Sequence, residues 1–277
     1  MSDSTTRNVT ARLRKVAQER KVAYNMVVTE YLLECVVCRL SAAKNLASKA
    51  VFKGGYVCAR VYKSPRYTTD IDLTIHGISA DKAVDISVSI IEKSANDGAW
   101  FQHQKVVNLL TQGEYGGMRI ITRGGLGKQP ANLSKSQIFH IDIGINDAIS
   151  PEASELTTDS LAGVGSFNWK VYAVETVVAE KLHTMVDRGS ENSRSRDVYD
   201  INLLLPQCNG ETLKTSLATT FTHRKTPLPA SISETLSSLD SSLLQRGWAK
   251  VMNNATTEKS FAETFDELIQ KLQALEL

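Results

Sequence analysis

Several features that mark large protein classes are missing from this sequence. No apolar run approaches the ~18–20 residues that span a bilayer, so we expect no membrane partner. The first fifteen residues contain no apolar core, which argues against a signal peptide and favours a cytoplasmic location. The net charge is only +2, so any basic surface for nucleic acid must be local.

Cysteine is also scarce, with four residues in the chain. Cys35 and Cys38 have the spacing of a redox or metal motif. No second C-x-x-C and no nearby histidine pair would complete a zinc site, and the motif lies in a helical pattern. We therefore predict buried, reduced cysteines.

The chain is long enough to bury a substantial core, in one large domain or two smaller lobes. Apolar periodicity predicts helices and alternation predicts strands. The predicted helices lie in 8–46 and at 80–95, 174–186, 197–205 and 261–275, and the predicted strands at 70–75, 117–122 and 137–145. The glycine-rich, basic segment 123–135 is predicted to be a mobile loop, with phosphate binding or a plain hairpin connection as its two interpretations.

The most informative stretch is Lys53-Gly54-Gly55, followed by Asp70-Ile71-Asp72. A glycine pair lets backbone N–H groups approach a phosphate. On a strand with alternating burial, Asp70 and Asp72 point to the same side, as two carboxylates must to share a metal. Magnesium prefers oxygen ligands of this kind, with manganese as the alternative ion.

A third carboxylate, Asp142, lies between isoleucines on the later strand, 137–145. A carboxylate in an apolar strand is costly to bury unless it is paired or bound to metal. We predict that Asp142 joins Asp70 and Asp72 at a two-metal site for nucleotidyl transfer. A solvent-facing aspartate on a half-exposed sheet is the alternative.

An isolated D-x-D motif is weak evidence, because sugar-nucleotide glycosyltransferases also use it to hold a metal. The glycine pair before it and the carboxylate on a later strand follow the order seen in polymerase-β-like nucleotidyltransferases. On this reading a lysine such as Lys181 neutralises the phosphates. A surface lysine paired with Glu180 or Asp187 is the alternative for that residue.

Four motifs in order resemble the AbiEii/AbiGii toxin family. They are Phe52-Lys-Gly-Gly55 with Arg66-Tyr-Thr-Thr-Asp-Ile-Asp72, Val174-Glu-Thr-Val-Val-Ala-Glu-Lys181-Leu, Asn192-Ser-Arg-Ser-Arg-Asp197-Val-Tyr-Asp200, and Thr226-Pro-Leu-Pro229. The resemblance covers about residues 10 to 272. It departs from the pattern at Tyr56, where the family often has a small or hydroxyl residue, and this leaves the phosphate grip to the backbone alone.

The resemblance implies an α+β, bilobed protein. A polymerase-β-like lobe, with a mixed sheet flanked by helices, is expected over 1–165, and a helical lobe over 166–277. It implies a magnesium-dependent toxin that transfers a nucleotide from an NTP to RNA, with a tRNA 3′ end as the acceptor, and so stops translation. A cognate antitoxin, often with a winged-helix domain, is the implied partner.

The resemblance also implies a role for individual residues. Asp70, Asp72 and Asp142 become metal ligands, and Lys181 and Asp197 join them as catalytic residues. The implied nucleotide-binding residues are Lys53, Gly54, Gly55, Arg66, Lys181 and Asp200. An N-cap role for Asp197 and an ion pair of Asp200 with Arg196 are the structural alternatives.

Two alternative functions remain open from the sequence. One is a kinase-like phosphotransferase that modifies protein with the same site. The other is a nucleotide-binding module without catalysis, which the three acidic positions and the lysine argue against.

Overall fold

Seven strands form one mixed sheet in the order β3-β4-β5-β2-β1-β7-β6. The computed structural model describes residues 3–109, 117–255 and 257–277. The strands are β1 Ala50–Lys53, β2 Asp70–Ile75, β3 Ala99–Leu109, β4 Gly117–Leu126, β5 Gln137–Ile145, β6 Ser154–Asp159 and β7 Ser166–Val171. β2 is antiparallel to β1 and parallel to β5, so the α+β class with a mixed sheet is confirmed.

The helices are α1 Asp3–Arg20, α2 Tyr24–Ala42, α3 Gly54–Arg60, α4 Ala80–Ile91, α5 Val174–Arg188, α6 Ser195–Leu204, α7 Gly210–His223, α8 Ile232–Ser237, α9 Ser242–Ala255 and α10 Phe261–Ala274. Short 3-10 turns follow α5 and α6. No helix within the described ranges is long and apolar enough to cross a membrane.

The chain forms two units that interleave along the sequence. The sheet unit comprises Met1–Tyr56, Thr68–Asp147 and Glu155–Val171, and the helical unit comprises Val57–Tyr67, Ala148–Ser154 and Tyr172–Leu277. The predicted division at residue 166 stays a prediction about domains, and 166–171 forms strand β7 of the sheet.

One face of the sheet is covered by α2 and α4. Alternation places fully buried side chains on that face, among them Ile71, Leu73, Ile120, Ile141 and Ile143. The other face carries the three predicted aspartates, which are half-exposed, and its side chains on β4 and β5 are half-exposed or exposed, whereas Thr74 of β2 is buried. We call it the open face, and its existence follows from the period-2 pattern of strands.

In the helical unit, α5 packs against α6 and α7, and α6 packs against α9 and α10. Helix α10 begins with a capping box in which Ser260 and Glu263 exchange hydrogen bonds with the backbone. Helix α2 contains Cys35, which is buried, and Cys38, which is half-buried, and both are free thiols.

Four strands were not predicted by the sequence pattern: β1, β3, β6 and β7. The predicted loop at 123 is also wrong at its start, because β4 runs to Leu126. The side chain of Arg123 donates hydrogen bonds to the carbonyls of Leu133, Ser134 and Ser136, so it ties down the connection that follows the strand.

Candidate functional site

Four residues on four adjacent strands lie side by side on the open face. Lys53 of β1 is opposite Asp72 of β2, Asp72 is beside Asp142 of β5, and Asp142 is opposite Arg119 of β4. The row therefore places two carboxylates between two cations. Asp142, the carboxylate predicted on a later strand, therefore lies directly beside Asp72 in the sheet.

Asp142 is held by Arg119. The guanidinium Nε and Nη2 donate to the two carboxylate oxygens at 2.7 and 2.6 Å. This bidentate geometry is among the strongest forms of ion pair, and its hydrogen bonds raise the pKa of Arg119. This partner was not apparent from the sequence, because Arg119 lies twenty-three residues away on another strand.

Asp70 has a different neighbour on β5. It lies beside His140 in the register, and its Oδ1 is 3.1 Å from the His140 Nδ1. The two side chains are about one-third exposed, at 30% and 33%. Asp70 and Asp72 thus open to solvent on the same face, two residues apart on one strand.

A fourth carboxylate, Asp147, belongs to this site and was missed in the sequence. Its Oδ2 accepts a hydrogen bond from the Lys53 Nζ at 2.7 Å, and its backbone N–H donates to the Thr74 hydroxyl. A β-carbon on Gly144 would lie 3.0 Å from the Asp147 Cγ, so the side chain folds back over that glycine. The sequence pattern indicates Asp147 only weakly, because this residue follows the end of β5 and breaks the alternation of that strand.

Two features of the structure favour glycine at position 54. Its φ is +69°, a conformation that side chains disfavour. A β-carbon there would also lie 2.5 Å from the Cγ of Asp72. The glycine therefore makes room for the Asp72 carboxylate, and the half-exposed backbone of 53–55 stands beside it.

Tyr56 turns away from this backbone. It is 2% exposed and packs edge-on against Trp169, with ring centroids 5.9 Å apart. Its hydroxyl oxygen is buried. The residue that replaces the family's small or hydroxyl side chain is thus part of the core of the sheet unit.

The residues on the open face fit a divalent cation by their chemistry. Asp70, Asp72 and Asp142 supply oxygen donors on one face, and the absent β-carbon of Gly54 leaves space against Asp72. As the side chains of the described part of the chain are arranged, no three carboxyl, imidazole or thiol groups converge on one point. Both oxygens of Asp142 face Arg119 instead.

In the helical unit, Lys181 lies between two aspartates of α6. Its Nζ donates to the Asp197 Oδ1 at 2.6 Å and to the Asp200 Oδ2 at 2.9 Å. Burial lowers the pKa of Lys181, but the two carboxylates outweigh it and the pKa is raised. The ammonium is therefore a fixed positive charge, 11% exposed.

The two aspartates each have an arginine as well. Arg194 donates to Asp197 at 2.7 Å, and Arg66 donates to both oxygens of Asp200 at 3.1 Å. Burial raises the pKa of Asp197, yet Lys181 and Arg194 lower it to about 2. We call these five side chains the ion network of the helical unit.

The contacts of this network show that the structural alternatives for Asp197 and Asp200 are wrong. Asp197 is not the N-cap of α6, because the helix begins at Ser195 after Arg194 and has no side-chain cap. Asp200 pairs with Arg66 and Lys181 rather than with Arg196. The sequence could not show this, since Arg66 and Asp200 are 134 residues apart.

The predicted site residues thus form two groups. The sheet unit brings together Lys53, Gly54, Gly55, Asp70, Asp72 and Asp142, and the helical unit brings together Arg66, Lys181, Asp197 and Asp200. Arg66 and Asp200 are buried, 6% and 0% exposed as side chains. A nucleotide would touch either of them only if their pair opened.

Solved structures with a similar fold share little sequence with this chain. A protein from H. pylori described as a nucleotidyltransferase has a TM-score of 0.57 and 16% identity, with 92% of this chain and 96% of that chain covered. JHP933 from Helicobacter pylori has a TM-score of 0.54 and 15% identity, covering 92% and 93%. MenT4, a nucleotidyltransferase toxin from Mycobacterium tuberculosis, has a TM-score of 0.53 and 16% identity, covering 96% and 98%.

No curated protein sequence matches the chain. At these identities the solved structures establish the fold alone, which is that of nucleotidyltransferases. Residues 37–271 match the family model described as nucleotidyl transferase AbiEii toxin of type IV toxin–antitoxin systems, and this chain belongs to that family.

Proposed function

We propose that this protein transfers a nucleoside monophosphate from an NTP to an RNA acceptor, the 3′ end of a tRNA, and so inhibits translation. The observation that carries the proposal is the register of β2 and β5, which sets Asp72 beside Asp142 with Asp70 two residues before it. Family membership supports nucleotidyl transfer, and the resemblance in the motifs supports the RNA acceptor.

The reaction needs positioning and charge neutralisation more than covalent help from the protein. The acceptor hydroxyl attacks the α-phosphorus, the bond from that phosphorus to the bridging oxygen breaks, and pyrophosphate leaves. Asp70, Asp72 and Asp142 would hold magnesium, or manganese in its place. Two bound ions would activate the hydroxyl and stabilise the leaving oxygen.

The sheet unit's own groups orient the nucleotide in this proposal. Gly54 and Gly55 offer backbone N–H groups to the triphosphate from a half-exposed segment. Lys53 adds a positive charge beside Asp72, and its contact with Asp147 fixes its position. Tyr56 takes no part, because it is buried against Trp169.

Lys181 and Asp197 are the proposed contributions of the helical unit. Lys181 keeps its positive charge at any ordinary pH and neutralises phosphate charge. The Arg66–Asp200 pair is better suited to holding Lys181 than to contacting nucleotide, since both side chains are buried and bonded to one another. Lys181 would then be the catalytic residue, and the buried Arg66–Asp200 pair would position it.

Labelled nucleotides test the reaction class. Purified protein is incubated with total tRNA, magnesium and each NTP in turn, labelled at the α- or the γ-phosphate. Nucleotidyl transfer leaves only the α-label on RNA, whereas a phosphotransferase leaves the γ-label on its product. A γ-labelled product, or an unlabelled tRNA with all four NTPs, would contradict the proposal.

A double variant tests the site. Asp70→Ala with Asp72→Ala should keep the thermal unfolding transition of the folded protein, because both side chains are partly exposed. It should lose both α-label transfer and growth inhibition. Full toxicity in the double variant would show that the open face is not the catalytic site.

The family implies an antitoxin partner, and we propose that it carries a winged-helix domain and is encoded beside this gene. Co-expression with the neighbouring reading frame should relieve growth inhibition. Unrelieved toxicity with that neighbour would exclude it as the antitoxin.

A further inference from the structure

Charge is distributed unevenly over the sheet. Between Ala99 and Ile141 the sequence has one acidic residue, Glu114, which lies outside the described residues. The same stretch carries seven basic or imidazole side chains: His103, Lys105, Arg119, Lys128, Lys135, His140 and Arg123. Four of the seven lie on β3 and β4, which form a cationic end of a sheet whose β2 and β5 carry the carboxylates.

The register shows which of these groups share the open face. Lys105 of β3 is opposite Ile121 of β4, and Ile121 is opposite His140 of β5, which lies beside Asp70. Val107 and Arg119 begin the neighbouring row, which continues to Asp142. Two rows therefore run without interruption from the outer strand β3 to the aspartates.

The cations differ in their availability to a ligand. Arg119 is engaged by Asp142, and Arg123 is engaged by three backbone carbonyls. Lys105, Lys128 and Lys135 form no ion pair with any residue in the part of the chain that the structure describes. Of these three, Lys105 has a position fixed by a strand, and its side chain is exposed.

Apolar side chains lie between the charges. Ile138 is 47% exposed and Val107 is 38% exposed, and Ile121 is half-exposed beside Lys105. Surfaces that bind single-stranded nucleic acid combine cations that follow the phosphates with side chains, most often aromatic, on which the bases lie. Here aliphatic side chains take the place of the aromatic rings.

In the first row the cation Lys105 lies at the β3 end and the carboxylate of Asp70 at the β2 end, and in the second row Arg119 precedes Asp142 and Asp72. This order of charge suits a phosphate chain that approaches from β3 and ends at the carboxylates.

We propose that the single-stranded 3′ end of the acceptor RNA lies across the open face from β3 toward β5, with a phosphate on Lys105 and its terminal hydroxyl at Asp142 and Asp72. The proposal rests on the nucleotidyl-transfer function proposed above. It fixes a direction: the body of the RNA lies on the side of β3, and only its end reaches the aspartates. Three strand spacings, ~14 Å in all, separate β3 from β2, a distance that a few nucleotides span.

The test compares Lys105→Gln with Lys82→Gln. Lys82 is exposed on α4, the helix that covers the opposite face of the sheet. Lys82→Gln therefore removes the same charge without changing the open face. Binding of a fluorescent RNA ending in a single-stranded 3′ segment is measured at several salt concentrations. NTP binding without RNA and the KM for RNA are measured in parallel.

We expect Lys105→Gln to weaken RNA binding several-fold and to reduce the slope of log affinity against log salt by about 0.7, the value for one phosphate contact on a single strand. The KM for RNA should rise while NTP binding stays unchanged. Lys82→Gln should match the wild-type protein in every measurement.

Wild-type affinity and salt slope in Lys105→Gln would overturn the proposed surface, as would an equal loss in Lys82→Gln. A Lys105→Glu variant that loses antitoxin binding but keeps RNA binding would assign the face to a protein partner and would also overturn it. Failure of the proposed function is separate: wild-type protein would then transfer no α-label to RNA at all.

Discussion

The carboxylate of Asp72 occupies the place where a β-carbon of Gly54 would stand. This relationship joins the glycine pair to the aspartate motif in space, although the sequence separates them by a helix and an irregular segment. The positive φ of Gly54 brings the chain beside the strand, and the missing side chain lets Asp72 lie against it. The two motifs thus make one site.

Substitution of Gly54 should therefore damage the site more than the fold. Gly54→Ala and Gly77→Ala share the cost of a positive φ, about 1–2 kcal/mol each. Gly77 has a φ of +71° and nothing within 4 Å of its added carbon, whereas Gly54→Ala must displace Asp72. We expect Gly54→Ala alone to lower kcat/KM, by about a hundredfold, as misplacement of a reacting group by about 1 Å does.

Thermal unfolding and α-label transfer by the two glycine variants check this expectation. Equal activity in both variants would mean that the position of Asp72 against Gly54 has no catalytic importance.

Removal of Arg119 should strengthen metal binding. Its guanidinium takes both oxygens of Asp142, so a divalent cation must compete with a bidentate ion pair. Arg119→Gln should lower the Kd for Mn²⁺ in RNA-free protein several-fold, as measured by electron paramagnetic resonance. The same variant with Asp70→Ala and Asp72→Ala serves as the control and should bind no ion at the site. A weaker Mn²⁺ affinity in Arg119→Gln would contradict this account of the pair.

The ion network of the helical unit should matter to stability in proportion to burial. Arg66→Met removes a buried partner and leaves the charge of Asp200 under-compensated, which costs about 3–5 kcal/mol in such pairs. Arg194→Gln removes a partner that is 52% exposed and should cost less than about 1 kcal/mol. Urea unfolding of the two variants measures the difference. Similar losses in both would show that the buried Arg66–Asp200 pair has no special weight.

His183 should make the protein less stable in mild acid. Burial and the Arg224 guanidinium lower its pKa to about 4 from its ordinary value of 6.5. Between these values the unfolded chain binds a proton that the folded protein does not, so stability is complete above pH 6.5 and falls as the pH drops toward 4. The loss amounts to about 3 kcal/mol at most.

Unfolding free energies of wild-type protein and His183→Asn across pH 4 to 7.5 isolate this effect. The difference between the two should shrink as the pH falls. A constant difference over the whole range would show that His183 does not titrate differently in the folded state.

The sequence predicted those helices and strands whose apolar periodicity can be recognised within the helix or strand itself. β2 and β5 alternate cleanly, so Asp72 and Asp142 were assigned to the same type of face, and α5 and α10 have clear helical periodicity. β3 was not predicted, because residues 102–108 are exposed in succession and show no alternation. Edge strands that extend beyond their covering helices lose the signal that marks a strand.

The site was predicted as a set of residue types and not as a set of pairs. Asp147, Arg119 and the Arg66–Asp200 pair depend on which strands become neighbours, and nothing within a single element specifies that. Tyr56 illustrates the opposite case, since its departure from the family pattern was visible in the sequence while its place against Trp169 was not.

The most direct test of the open face as the transfer site is α-label transfer to tRNA by Asp72→Asn, with Asp85→Asn as the matched control. Asp85 is exposed on α4, so its replacement removes one carboxylate charge away from the site. We predict that Asp72→Asn loses transfer by at least about a hundredfold with an unchanged melting temperature, and that Asp85→Asn keeps it. Wild-type transfer by folded Asp72→Asn would contradict the account.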